Sequence, residues 1–338
     1  MKTILVTGAT GYVGGRLVPR LLNPESVVRV LVRDPGRVVG RPWAASVQIM
    51  RANLHTGEGL EAALRGIHTA YYLVHSMSGG ADFARLDREA AQRFGAAARD
   101  AGVSHVIYLG GLLPKDSASE HLTSRAEVGA ILAAVVPTTE LRAGPIVGSG
   151  SASFEMVRYL TERLPLMIVP GWIDHEVQPI AIRDILAYLS LACDYSALGI
   201  IDIGGDRLTF RRIVETYANL RGLHRVIWTV PPVLPRVAAR WIGAITPIPN
   251  SLAVPIAQGM VQSLVADTRR AREIFPSIVP LDYRTAVSLA LTRMEKGEVE
   301  THWSGALGHG PTAELEDSEG LARETRSRLV KASPETVF

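Results

Sequence analysis

The sequence predicts an α/β fold, a doubly wound parallel sheet with a smaller C-terminal lobe, on three observations. A short apolar strand, Ile4-Leu5-Val6, runs into the glycine turn Thr7-Gly8-Ala9-Thr10-Gly11-Tyr12-Val13-Gly14 and then into helix-forming sequence. Continuous apolar strands then alternate with amphipathic helices as far as Arg142, as expected of strands covered on both faces. After Gly144-Pro145 this rhythm loosens into helical segments separated by Pro- and Gly-rich turns, which reads as a second lobe.

The elements follow in order. Strands are predicted at Val27–Val32 and Val47–Met50, a short helix at Glu58–Leu64, and a fourth strand at Thr69–Val74. Asp82–Ala101 carries Phe83, Leu86, Ala90, Phe94 and Ala97 at helical spacing, so a helix is predicted there. His105–Leu109 makes a fifth strand, Glu120–Ala134 a helix, and Thr138–Arg142 a sixth strand. Beyond them, helices are predicted at Ser153–Arg163, Arg183–Cys193, Phe210–Arg221, Val233–Ile245 and Ser251–Val265, with short strands at Gln178–Ile182 and Ile200–Ile203. The domain reading is a dinucleotide-binding unit over residues 1–150, a substrate lobe over 151–300 with strands returning to the main sheet, and a linker or tail over 301–338. Gly305–Gly310 reads as a Gly/His-rich linker, and the chain stops in what looks like the start of a further element.

Composition narrows the function. The net charge is only +3 and the basic residues are dispersed, which disfavours nucleic acid, as does the 6% aromatic content without a basic-aromatic stripe. A single cysteine, Cys193, rules out an internal disulfide and a Cys-based zinc site, and fits a reducing cytoplasm. No His-x-x-x-His or clustered Cys/His spacing suggests a metal, and no hydrolase elbow stands in a strand-to-helix context. No signal peptide and no uninterrupted apolar run of transmembrane length is expected. The apolar stretch 230–265 is broken by prolines and reads as short packed helices, with a monotopic membrane contact through Trp241 as the alternative.

The glycine turn carries the chemistry. Gly8 suits the tight exit from the strand, Gly11 lets a pyrophosphate approach the backbone, and Gly14 lets the new helix pack closely. Thr10, Tyr12 and Val13 complete the turn, whose helix N-terminus offers unpaired N–H groups to phosphate. At the end of the second strand, Val32-Arg33-Asp34-Pro35 puts Arg33 where an acidic residue would select NAD. An arginine there pairs with a 2′-phosphate and favours NADP, with Arg16 and Arg37 as further sources of positive charge.

Through the Thr-Gly-x-x-Gly-x-x-Gly motif of Thr7–Gly14, the chain resembles the extended and atypical branches of the short-chain dehydrogenase/reductase superfamily, which implies a Rossmann fold. The Val32–Pro35 segment is similar to that of NADP-dependent dihydroflavonol reductases. The resemblance implies that Asn53-Leu54 lies next to the adenine, that Val74-His75 lies beside the nicotinamide ribose, and that the Leu141–Gly148 turn lies near the nicotinamide amide.

The family's catalytic residues are replaced. Gly110-Gly111 stands where a serine follows the fifth strand, and His121 and Arg125 take the places of the Tyr-x-x-x-Lys pair. The pattern resembles the atypical group that contains the YbjT-like proteins and the 39 kDa subunit of respiratory complex I. Leu329–Phe338 resembles the entry to a START-like module found behind some of these relatives.

Two functions follow. As an oxidoreductase, the chain would reduce a small polarised substrate, with His121 as proton donor and Arg125 binding the cofactor ribose or an anionic substrate. Imidazole titrates near neutral pH, so the pH profile should break there. His75 is a second candidate because it follows a strand at its C-terminal end. The alternative is a non-catalytic NADPH-binding sensor, assembly factor or structural subunit with a protein partner, in which Gly110-Gly111 makes room for the nicotinamide. Neither reading specifies an oligomeric state.

Overall fold

The computed structural model describes residues 2–75, 82–114, 118–230 and 261–306, the isolated positions Val254 and Gly259, and the backbone of two strands at 314–318 and 321–325. The first half alternates as its apolar pattern requires: β1 (Lys2–Thr7), α1 (Tyr12–Leu21), β2 (Ser26–Val32), β3 (Gln48–Arg51), α2 (Leu60–Leu64), β4 (Thr69–Tyr72), α3 (Phe83–Asp100), β5 (His105–Gly111), α4 (Glu120–Ala133) and β6 (Thr138–Ala143). A seventh strand, β11 (Gly199–Ile203), returns from the second half to pair with β6, Ile201 opposite Leu141. The sheet order is β11-β6-β5-β4-β1-β2-β3, with every pairing parallel.

Strand periodicity divides the core. On β1, Ile4 and Val6 point to the face covered by α1 and by α6 (Ile182–Ala192), where they meet Leu17, Ile107, Ile185 and Leu189. Leu5 points the other way, into the layer under α2, α3 and α4 with Tyr72, Phe94, Val106 and Leu132. Each fully buried side chain of this kind contributes about 1.5–3 kcal/mol of transfer free energy, which is why a sheet buried on both faces shows no polar alternation.

The second lobe holds β7 (Ile146–Val147), α5 (Ala152–Arg163), β8 (Leu166–Pro170), β9 (Glu176–Val177), β10 (Ile180–Ala181), β12 (Leu208–Thr209), α7 (Phe210–Leu220) and β13 (Val226–Val230). Its short strands pair β7 with β10, β9 with β12 and β8 with β13. Phe154, Ile173, Phe210, Tyr217 and Val287 form its core. Two helices absent from the sequence reading follow, α8 (Arg269–Ile274) and α9 (Tyr283–Glu295). The second was marked in the sequence: Asp282 caps it by accepting from Thr285 N, and Tyr283, Ala286, Val287 and Ala290 recur at helical spacing on its buried side. Within the stretch read as linker and tail, β14 (Glu314–Ser318) and β15 (Leu321–Thr325) form an antiparallel pair that sets Glu316 opposite Arg323.

Some expectations fall outside the described residues: the Val233–Ile245 helix, the Trp241 membrane contact and the START-like ending at Leu329–Phe338. At the end of the predicted Ser251–Val265 helix, residues 261–265 are not helical. Leu264 instead bridges to Val177, its N–H donating to Glu176 O at 2.8 Å, because pairing with the backbone of β9 satisfies its polar group as well as a helical turn would. Among the described residues no helix is long and apolar enough to cross a membrane.

Arg16 corrects a further expectation. It does not add charge toward a 2′-phosphate but turns inward, 1% exposed, toward the second lobe. Its Nε donates to Thr301 Oγ1 (2.7 Å) and its Nη2 to Ser149 O (2.8 Å) and Thr301 O (3.1 Å), while Thr301 Oγ1 donates to Tyr12 O (2.8 Å). Arg16 thereby ties α1 to two segments of the second half. Arg16→Ala should cost at least about 2 kcal/mol, since each buried acceptor left unpaired costs about 1–3 kcal/mol. Urea denaturation measures this, and unchanged stability combined with weakened NADPH binding would restore the phosphate role.

Candidate active site

The site is built where β1 and β4 end side by side and the chain crosses over in opposite directions, the switch point at which open α/β sheets bind ligands. Thr7 Oγ1 donates to Tyr71 O (3.0 Å) and accepts from Leu73 N (3.0 Å), which clamps the two strand ends together. Gly8 then turns with φ +69°, and a Cβ on it would sit 2.5 Å from Leu73 O. A Cβ on Gly14 would lie 2.3 Å from Gly8 O, so both glycines are required by the backbone itself. Gly11 differs, because its Cβ would meet only Gly8 O at 3.2 Å. It is the N-cap of α1, with no side chain bonding to the first turn, and the first N–H groups face the cavity beside it.

A cavity of about 420 Å³ runs from this turn into the second lobe. Of the sequence-predicted residues, Gly8, Gly11, Tyr12, Val13, Gly14, Val74, His75, His121 and Arg125 line it. Thr10, Arg33, Asn53 and Leu54 are not in the lining. Leu54 buries its side chain with Leu60 and Phe94, so only its backbone is left to meet a ligand. Asn53 Oδ1 accepts from His55 N (2.9 Å), which leaves the amide nitrogen as the group to meet a base. Arg33 is exposed at the end of β2, and burial, joined by the Arg33 charge, lowers the Arg37 pKa. Asp34, the acid one position further on, is committed locally, its Oδ1 accepting from Gly36 N at 2.9 Å.

Beside the nicotinamide position predicted from the sequence, the polar groups converge. His121 lies in the first turn of α4, whose N-cap Ser119 accepts from Leu122 N. His75 follows β4, and its Nε2 is 3.0 Å from His121 Nδ1. On its other side, His75 Nδ1 bonds to Asp87 Oδ2, a carboxylate whose side chain is 4% exposed. Asp87 was missed in the sequence, yet it left a signal: it occupies the buried stripe of α3 with Ala90, Ala91 and Phe94, where an apolar residue is expected. Burial is the largest cause lowering the His75 pKa, opposed by its bond to Asp87. The His121 pKa is lowered by burial first, then by the charges of His75 and Arg125. A pH break near neutrality is therefore not supported, and the pair titrates on the acid side of an ordinary imidazole.

The glycines at positions 110 and 111 have steric reasons. A Cβ on Gly110 would come within 2.6 Å of Glu140 Oε1, a buried carboxylate that accepts from Arg142 Nε at 2.8 Å. A Cβ on Gly111 would lie 3.3 Å from Arg125 Nε. Arg125 Nη2 donates to Leu109 O and its carbonyl accepts from Tyr108 Oη (3.0 Å), so the guanidinium is held against the end of β5. Its Nε is buried and has no hydrogen-bond partner among the described residues, and Arg125 as a residue lines the cavity. No group of three His, Cys, Asp or Glu among the described residues could hold a metal ion.

Comparison with known proteins agrees with this geometry. Residues 1–128 match the model of the NmrA-like family. A ceramide reductase of Caulobacter vibrioides is 28% identical over 228 residues, which cover 65% of this chain and 70% of that protein. The dihydroflavonol 4-reductase of Gerbera hybrida is 34% identical over 94 residues, 26% of this chain and 25% of the plant enzyme. Among solved structures, the NADPH complex of the Escherichia coli quinone oxidoreductase QOR2 superposes with a TM-score of 0.68 at 20% identity, covering 84% of this chain and 98% of that one. MoeE5 with UDP-glucose and NAD gives 0.66 at 19%, covering 87% and 99%. These structural likenesses establish the fold, and the glycine turn with the family match over residues 1–128 supports an atypical short-chain dehydrogenase/reductase-like protein of the NAD(P)-binding Rossmann type.

Proposed function

We propose that this chain is an NADP(H)-dependent oxidoreductase that reduces an apolar carbonyl compound. One observation carries the reading: a single cavity joins the glycine turn to His121 and Arg125 and continues into an apolar wall formed by Phe154, Met156, Val157, Phe210, Ile213 and Leu264. The bound dinucleotide would supply a hydride, and the protein must supply the rest. The α1 N-terminus and Gly11 would hold the pyrophosphate, and Arg33 with Arg37 would face the 2′-phosphate. The Arg125 guanidinium would donate to the substrate oxygen, and His121 would protonate it.

The wall selects the substrate class. Arg125 is the one Lys, Arg, Asp or Glu among the described residues that line the cavity. A nucleotide sugar would bring two phosphates into a space with little to neutralise them, whereas a long apolar substituent would gain about 25 cal/mol for each Å² it buries. The likeness to a ceramide reductase supports the same class.

Three measurements test this function. Gly11→Val should abolish NADPH binding while leaving the melting temperature of the free protein nearly unchanged, because the valine meets phosphate and not core. A retained ligand-induced thermal shift would place the phosphates elsewhere. Arg33→Ala should remove most of a preference for NADPH over NADH of about 1.5–3 kcal/mol, read from dissociation constants. Equal wild-type affinities for the two cofactors would end the NADP assignment. Finally, NADPH oxidation should occur with medium- and long-chain ketones and enones and not with UDP-glucose. The opposite pattern would refute the substrate class, and tight NADPH binding without any oxidation would support the non-catalytic alternative.

A further inference from the structure

We infer that the buried Asp87 and the part-buried His75 form a proton relay that sets the tautomer of His121 and carries the positive charge when His121 acts as an acid. The inference rests on the reductase reading for its chemistry but on geometry for its parts. Three side chains from three elements stand in line: Asp87 on α3, His75 after β4 and His121 on α4. The Phe83 ring packs against both imidazoles, its centroid 6.4 Å from His75 and 6.5 Å from His121, and helps to fix their planes.

The hydrogen bonds determine where each proton sits. An ionised Asp87 can only accept, so His75 carries its proton on Nδ1 and presents Nε2 as an acceptor. His121 must then donate from Nδ1 to His75 Nε2, which leaves His121 Nε2 unprotonated and basic. When one proton is added, His75 becomes the imidazolium, bonded to Asp87 through Nδ1–H and to His121 through Nε2–H. His121 then carries its own proton on Nε2. In carbonyl reduction, hydride adds to the carbonyl carbon and the carbonyl oxygen takes the proton from His121 Nε2. His121 Nδ1 recovers a proton from His75 Nε2, the positive charge disappears beside Asp87, and solvent later returns one proton to the pair. The sum is one hydride and one proton added to the C=O bond.

Other charges face this pair, and they decide the direction of its titration. Arg125, on the same helix as His121, disfavours an imidazolium at either position. Asp87 favours one, and its charge is also felt by Tyr72 on β4, Tyr108 on β5 and His55 beyond β3. The charge is therefore held on His75, bonded to the carboxylate, so that His121 never needs to hold it. Reduction uses the protonated pair, so its rate falls as pH rises through the shared value, which lies below an ordinary imidazole. Alcohol oxidation uses the unprotonated pair and rises through the same value.

The relay can be tested without turnover by following ¹⁵N-histidine NMR signals of the full-length, cofactor-free protein through a pH titration. His75 and His121 should change together at one pH, with His75 Nδ1 protonated throughout. Asp87→Asn keeps an acceptor for His75 but removes the charge, and should move that common midpoint down by about one unit or more. The pH profile of reduction should move by the same interval, with kcat at pH 7 falling about tenfold and KM unchanged. Separate midpoints that Asp87→Asn leaves in place would overturn the relay even in an active reductase. Coupled midpoints in a protein that reduces no carbonyl would leave the relay standing and overturn the reductase reading. If Asp87→Asn does not fold, His121→Ala must displace the His75 midpoint, and an unmoved midpoint overturns the relay equally.

Discussion

Everything in this molecule depends on how closely one turn of backbone approaches another. Gly14 lies so near the Gly8 carbonyl that no side chain fits between them, and Gly8 in turn rests against Leu73 O. Three backbone segments, the ends of β1 and β4 and the start of α1, therefore meet at one point. That contact aims the α1 N-terminus at the cavity and places Val74 and His75 along its edge. A Cβ at either glycine would push the helix away from the sheet and disperse the phosphate site and the polar cluster together.

The second lobe adds a far wall to this crevice. It is fastened to α1 by the buried Arg16, which satisfies backbone oxygens of Ser149 and Thr301. A charged side chain spent this way is costly to bury and is stabilised only by completing its hydrogen bonds, so the lobe's position is well determined. Its apolar residues then form the far wall. Electrostatic interactions among Asp87, His75, His121 and Arg125 are stronger beside such a wall than in water, because there is little solvent to screen them.

Positions 110 and 111 at the end of β5 are glycine for two different packing reasons. Arg125 extends along the end of β5 to Leu109 O and occupies the space that a side chain at position 111 would enter. Position 110 is small for a separate reason, the Glu140 carboxylate under it, and Gly129 on α4 faces the same carboxylate, its Cβ position 2.3 Å from Glu140 Oε2. Room for a nicotinamide ring is thus not what makes 110 a glycine. Arg125 and His121 on α4 and His75 after β4 thus reach one cavity from two different elements.

Local sequence determined the order of elements through Arg142, the glycine turn and the parallel character of the sheet, because each rests on patterns within ten or twenty residues. It also carried the resemblance to atypical short-chain dehydrogenases and pointed to His75, His121 and Arg125, which line one cavity. The second lobe was less legible, since strands of two residues such as β7 and β10 exist only through their pairing. Arg16 looked like a phosphate ligand from its place in the helix, and only the packing of Thr301 against α1 turned it inward. The relay was decided by tertiary structure alone. His75 is 12 residues from Asp87 and 46 from His121, and side chains so far apart in sequence become a chain of proton carriers only when a strand end and two helices pack around them.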